Sequence, residues 1–276
     1  MITWIASYPK SGNTWLRAII SSYYYSDDGI YSENIIKKIG QFPEKRHFTS
    51  FDYNKDVLTD TTKFWIKAQE KINEDNKIIF FKTHNAFGAL NNNQFTDNKN
   101  SIGAIYIVRD PRNVITSVKK HFGKISYEKA LAFMQDERKF LGSKNYSEEN
   151  DVPTLISSWK NNYNSWKKFR KNYFLIKYED LLVDPKKEFL KLMNFIKNIS
   201  NLEFDENKIE KVIHDCNFEN LKKQEHQKGF KEAPRDSDQN FFSLGPNNNW
   251  RKILTTNIRQ EIENCFKDEM KDLNYL

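Results

Sequence analysis

Short continuous apolar runs along this chain alternate with stretches in which apolar residues recur at helical spacing. Residues 2 to 7, with Ile2, Trp4 and Ile5, read as a buried strand, and Leu16, Ile19, Ile20 and Tyr23 predict a helix from Trp15 to about Tyr25. The run "KIIFFKTHN" (77 to 85) is apolar through Phe81 and turns polar at Lys82-Thr83-His84, which puts those side chains at a strand's carboxyl end. "GAIYIVRDPRN" (103 to 113) repeats the arrangement: Arg109 follows Ile105-Tyr106-Ile107-Val108, and Pro111 marks the turn into a helix "NVITSVKKHF". A helix over "TLISSWKNNYNSWKKFRK" (154 to 171), with Leu155, Trp159, Tyr163 and Trp166 on one face, leads into a fourth strand in "YFLIKYEDLLVDP" (173 to 185). Continuous apolar strands suit a parallel sheet buried on both faces. Their alternation with helices predicts an α/β fold, a central parallel sheet flanked by helices and joined by right-handed crossovers.

The remaining segments are less regular. Residues 27 to 75 read as irregular structure and short helices, and "NNNQFTDNKN" (91 to 100) as a solvated loop. An interrupted helical pattern fills 186 to 226. A stretch rich in Gly, Pro, Asn and Asp (226 to 252) predicts a long loop, which at that length is more often functional than idle. The chain ends in an amphipathic helix, "TTNIRQEIENCFKDEMKDL", with Ile258, Ile262 and Phe266 toward the core. No internal repeat or linker divides the chain, so a single domain over residues 1 to 276 is expected.

Composition changes this picture little. The 21 Phe, 13 Tyr and 6 Trp predict a core built largely from aromatic and Ile/Leu side chains. A net charge of +7 predicts attraction to anions, although a lysine-rich solvated surface produces the same total. No basic and aromatic stripe suggests nucleic acid, so no nucleic-acid partner is expected. Cys216 and Cys265 lack metal-ligand or CxxC spacing and read as buried small hydrophobes in a reducing compartment. Without a leader-like start or an apolar run of about 18 residues, the expectation is a cytoplasmic protein with no transmembrane segment.

The chemistry concentrates where strands end. In open α/β sheets ligands lie beyond the carboxyl ends of the strands, and here Lys10, His84 and Arg109 stand at three such ends. The first of these loops, "SYPKSGNTW", brings backbone N–H groups, hydroxyls and a lysine to a helix N-terminus, which favours a phosphate or sulfate. Its order, Lys before the only Gly, is not the G-x-x-x-x-G-K-[ST] of a Walker A loop. The residues alone also admit a plain strand-to-helix turn in which Ser11 or Asn13 caps the helix and Trp15 enters the core.

Taken together, the loops resemble one family. "YPKSGNTW" is similar to the 5′-phosphosulfate loop of sulfotransferases that use 3′-phosphoadenosine 5′-phosphosulfate (PAPS), and "IYIVRDPRNVITSVKKHF" to their 3′-phosphate motif, in the family's order. "FFKTHN", "LIKYEDLLVDP" and "FSLGPNNNW" match further family segments, while 27 to 75 and 124 to 150 match poorly. The resemblance implies a P-loop-like, nucleoside-kinase-like sulfotransferase fold. It also implies that Lys10, Ser11, Gly12, Asn13 and Thr14 hold the 5′-phosphosulfate, that Trp15 stacks on adenine, and that Arg109 and Ser117 hold the 3′-phosphate. Tyr178 and Phe218 match positions that contact the base.

For catalysis the resemblance implies His84 as general base, Lys10 at the leaving group and Lys82 at the sulfuryl oxygens, in an in-line transfer needing no metal. The product would be 3′-phosphoadenosine 5′-phosphate (PAP). The acceptor, a small molecule, lipid or saccharide bearing a hydroxyl or amine, is not legible, and neither is the oligomeric state. Aromatics such as Phe42, Phe48, Phe51, Tyr53 and Phe87 could line its pocket or belong to the core. His121 reads as structural. One departure stands out: where the family offers Arg-Lys-Gly to the 3′-phosphate, this chain has Ser243-Leu244-Gly245, with Arg251 or Lys252 as possible substitutes. That departure admits a second reading, a PAPS- or PAP-binding protein without transferase activity.

Overall fold

Four parallel strands form the centre of the computed structural model, which describes residues 1–122, 125–142, 152–230, 232 and 240–276. They are β1 (Ile2–Ala6), β2 (Ile79–Thr83), β3 (Ser101–Val108) and β4 (Tyr173–Lys177), in the spatial order β2-β1-β3-β4. In register, Ile5 lies beside Lys82 on one side and Ile105 on the other, and Val108 lies beside Lys177. The polar residues that follow each apolar run therefore arrive at one edge of the sheet.

Side-chain alternation along the strands makes two cores, one on each face. Trp4, Ala6, Tyr106 and Val108 join one; Ile5, Ile105 and Ile107 join the other. Helix α1 (Asn13–Tyr25), which follows β1, packs Leu16, Ile19 and Ile20 into the second core. Helix α2 (Pro111–His121), which follows β3, packs Val114, Ile115 and Val118 into the first. The chain thus leaves adjacent strands β1 and β3 toward opposite faces, which opens a crevice between their carboxyl ends. The first core is completed by Trp159, Tyr163 and Trp166 of α3 (Trp159–Trp166), and the second by Phe189, Leu192 and Met193 of α4 (Pro185–Ser200).

Several boundaries differ from the sequence reading, each for a local reason. Helix α3 is shorter than 154 to 171 because Thr154–Leu155 pairs with Phe140–Leu141 as a small antiparallel ribbon, leaving Ser158 to cap the helix at Asn161 N. The expected strand 173 to 185 stops at Lys177; Tyr178–Val183 is helical, and Asp184 with Pro185 starts α4. The interrupted pattern after it is α4, a helix over Glu206–Asp215, and α5 (Phe218–Lys228). The C-terminal helix breaks at Phe266 into α6 (Thr256–Cys265) and a short helix over Lys267–Asp272. Of the expected loop 226 to 252, residues 231 and 233–239 lie outside the described residues. Among the described residues no helix is long and apolar enough to cross a membrane.

Two expectations are corrected. Cys216 is buried, but Cys265 is only partly so, its Sγ 2.7 Å from Gln135 Nε2. The segment 91 to 100 is not simply solvated. Phe95 is fully buried against Trp4 and Trp65, with ring centroids 5.1 and 5.3 Å away. Gln69 Nε2 donates to the Phe95 carbonyl at 2.6 Å, and Thr96 Oγ1 donates to Gln69 Oε1 at 2.5 Å, so the buried backbone there keeps its partners. One aromatic among polar neighbours was enough to anchor the loop. Phe95→Ala should therefore lower stability by about 3–5 kcal/mol in urea titration, whereas a loss below about 1 kcal/mol would return this segment to the solvent.

Candidate active site

The loop between β1 and α1 is wound by two residues in left-handed conformation, Lys10 (φ 66°) and Gly12 (φ 101°). Gly12 is required twice over, since a Cβ there would stand 2.5 Å from Cδ2 of Tyr178. It occupies the N-cap position of α1 and offers no capping side chain, which leaves the first-turn N–H groups facing the crevice end of the helix. Neither Ser11 nor Asn13 caps the helix, as a plain turn would require. Asn13 instead turns its amide back to Ile5 O (3.0 Å) and Ser7 Oγ (3.1 Å), tying the loop to the strand it leaves. The Ser11 side chain is buried, its hydroxyl has no partner among the described residues, and it does not border the cavity.

Lys10, Gly12, Asn13, Thr14 and Trp15 border a cavity of about 310 Å³, at the lower end of the roughly 300–1,000 Å³ of small-molecule sites. Lys82 and His84, from the end of β2, enter the same cavity, as do Arg109 and Ser117 from β3 and α2. Arg109 is almost wholly buried. Its guanidinium lies 4.2 Å over the Tyr178 ring, and Nη1 donates to Lys10 O (3.3 Å) and Ser117 Oγ (3.4 Å), while Nε has no partner. Ser117 Oγ also accepts from Asn248 Nδ2 at 3.2 Å. The buried Asn248 further bonds Thr116 and Asn113, and so clamps the C-terminal loop onto α2.

His84 is held by its backbone and its ring. Asn162 Nδ2 donates to His84 O at 3.0 Å, and His84 Nδ1 lies 2.9 Å from the Ser7 carbonyl. A carbonyl can only accept, so Nδ1 carries the proton and Nε2 remains the basic nitrogen. Burial, with Lys82 close by, drives the imidazole down to about 3, so the ring is neutral at pH 7. The same causes act on Lys10, which burial beside Lys82 and Arg109 lowers to about 8. Lys82 is likewise lowered by burial.

One carboxylate answers these cations. Glu232 accepts from Thr14 Oγ1 (3.0 Å) and Arg17 Nη1 (2.6 Å) and lies 3.4 Å from Lys82 Nζ. Burial works to raise its pKa, but Lys82 and Arg17 hold it well below the usual carboxylate range. Among the described residues no carboxylate lies within salt-bridge distance of Lys10, Arg109 or Lys120.

The other end of the cavity is apolar and aromatic. Trp15 meets Tyr178 edge to face at 5.6 Å and is pinned by Nε1 to Cys216 O (2.9 Å). Phe218 packs against Phe242 at 6.3 Å, and Gly245 (φ 46°) lies so close that any Cβ would run into the Phe218 ring. Ser243 and Leu244 border the cavity beside it.

Some placements were not foreseen. His121, read as structural, borders the cavity; burial, with Lys10 and Lys82 near, lowers it to about 4. Glu232, Lys120 and Asn248 carried no spacing signal that set them apart from neighbouring charged and amide residues. Arg251 and Lys252 do not border the cavity; Arg251 lies 4.4 Å over the Trp250 ring. Phe42 and Phe48 are fully buried core, Phe51, Tyr53 and Phe87 pack against that core, and none of these five borders the cavity.

Comparison with known proteins agrees with this architecture. Residues 2–274 match the sulfotransferase domain family. Rat sulfotransferase 1E1 is 26% identical over 284 residues, covering 97% of this chain and 83% of that protein. Cytosolic sulfotransferase 7 of Arabidopsis thaliana is 27% identical over 279 residues, covering 97% of this chain and 78% of its own length. In structure, mouse sulfotransferase SULT7A1 complexed with PAP superposes with a TM-score of 0.62 at 18% identity, covering 98% of this chain and 84% of that one. Retinol dehydratase in complex with androsterone and PAP superposes with a TM-score of 0.56 at 14% identity, covering 98% and 81%. With the family matched across nearly its whole length and its strand ends carrying the loops described, the chain belongs to the sulfotransferase family, enzymes of the PAPS-dependent class.

Proposed function

We propose that this enzyme transfers the sulfuryl group of PAPS to a hydroxyl or amine of a small-molecule, lipid or saccharide acceptor, with His84 as general base. The observation that carries the reading is the meeting, in one cavity, of a neutral histidine whose Nδ1 is held by Ser7 O and two cations, Lys10 and Arg109, that no carboxylate among the described residues approaches within salt-bridge distance. The chain's own Glu232 supports an anion site here, because its two oxygens already draw on Thr14, Arg17 and Lys82. PAP-bound relatives and the complexes of retinol dehydratase with androsterone and retinol point to the same donor and to small-molecule acceptors.

In this reading His84 Nε2 takes the proton of the acceptor as its oxygen or nitrogen bonds to sulfur. The sulfur–oxygen bond to the 5′-phosphate breaks in line, and PAP departs with the electron pair. Lys10 and the first-turn N–H groups of α1 stabilise the charge growing on the departing phosphate, and Lys82 serves the sulfuryl oxygens. Trp15, Tyr178 and Phe218 supply flat apolar surface for adenine, and Arg109 with Ser117 serves the 3′-phosphate. Ser243, Leu244 and Gly245 close the nucleotide end.

His84→Ala should cut transfer of labelled sulfate by roughly 10²–10⁴-fold while PAP still raises the melting temperature as in the wild type; turnover at the wild-type rate would remove the base from His84. Arg109→Ala should lose most of that PAP-induced rise, and an unchanged rise would place the nucleotide elsewhere. Binding should also depend on pH in a stated sense. Lys10 sits at about 8, so raising the pH above 8 empties its charge in the free protein, and PAP affinity should fall by up to about tenfold per pH unit. Lys10→Arg, which stays charged, should flatten that slope in calorimetric titration from pH 7 to 9.5; an equal slope in both proteins would assign the titration to another group.

A further inference from the structure

The family-like loop at 243 to 245 lacks two cations, and the structure supplies one from elsewhere. We infer that Lys120, on α2, is the residue that completes the 3′-phosphate site, in place of the charges absent from Ser243-Leu244-Gly245. The inference rests on the donor reading above and extends it to a residue that reading does not use.

Three observations converge on Lys120. It lies three residues after Ser117 on the same helix, so both side chains share one face, and both border the cavity. Its ammonium donates to Ser243 Oγ, which places it against the very loop that departs from the family pattern. Among the described residues no carboxylate pairs with it, so its charge is available to a ligand. Arg109 also meets Ser117, with Nη1 3.4 Å from Ser117 Oγ and its buried Nε unpartnered among the described residues. Arg109, Ser117, Lys120 and Ser243 thus border one cavity as donors that carry two positive charges. A dianionic phosphate monoester needs that balance. Among the described residues of the C-terminal loop, Arg251 and Lys252 do not border the cavity.

The test compares two nucleotides that differ only at the 3′ position. Calorimetric titration with PAP and with adenosine 5′-monophosphate should show the wild type preferring PAP. Lys120→Met should lose roughly 10- to 100-fold of PAP affinity with little change for adenosine 5′-monophosphate, and Lys120→Arg should recover most of the loss. Equal weakening toward both nucleotides would make Lys120 a general prop of the cavity and overturn the inference. So would a Lys120→Met protein that keeps the full preference for PAP, and in that case the donor reading would stand. A wild type that does not prefer PAP at all would overturn both together.

Discussion

The crevice must keep several like charges close together in a poorly solvated place, and much of the architecture answers to that constraint. Lys10, Lys82, Arg109 and Lys120 border one cavity, and Glu232 is the one carboxylate among its described lining residues. Charges in such a place repel more strongly than in water and are costly to desolvate. The consequence is visible in the depressed proton affinities of Lys10, Lys82, His84 and His121, for each of which burial is the leading cause. A mobile scaffold would relieve the repulsion by letting the side chains swing outward. This one fixes each cation at a strand end or on the helix that follows, between two cores packed on opposite sheet faces.

Strand order determines how the charges can be gathered at all. Because β1 and β3 are neighbours whose following helices leave toward opposite faces, the loops after them splay apart and expose the N-terminal end of α1. Asn13 then has a task quite different from ligand contact. Its amide, bonded to Ile5 O and Ser7 Oγ, folds the loop back over its own strand, and Ser7 O in turn fixes the tautomer of His84. Asn248 does the equivalent for the far wall through Asn113, Thr116 and Ser117. Two buried asparagines therefore anchor segments that border the cavity.

Much of this was legible in the sequence for a simple reason. A lysine, histidine or arginine directly after a buried strand has few places to go, so Lys10, His84 and Arg109 could be assigned to one edge from the apolar runs alone. Residues whose role depends on what crosses over them could not be read. Lys120 is one of a Lys-Lys pair on a helix until the 243 to 245 loop is laid across it, and Asn248 is one of three consecutive asparagines. Ser11 differs from these: its position in the motif suggests a ligand, and its buried hydroxyl has no partner among the described residues. Phe95 lies in a segment of polar composition and is nevertheless fully buried, since a single buried ring suffices to fix a loop.

The same field that depresses His84 gives the proposed reaction an order. An imidazole lowered to about 3 is a poor base, since burial, and then the charge of Lys82 beside it, make its Nε2 hold a proton weakly. An anionic donor settling beside Lys82 would offset that part of the depression which the lysine's charge causes, and the proton affinity of His84 would rise. Base strength would then increase once the group to be transferred is in place. On this reading, the depressed histidine and the crowded lysines are one device: repulsion that the donor's own charge removes, linking its arrival to the ability to deprotonate the acceptor.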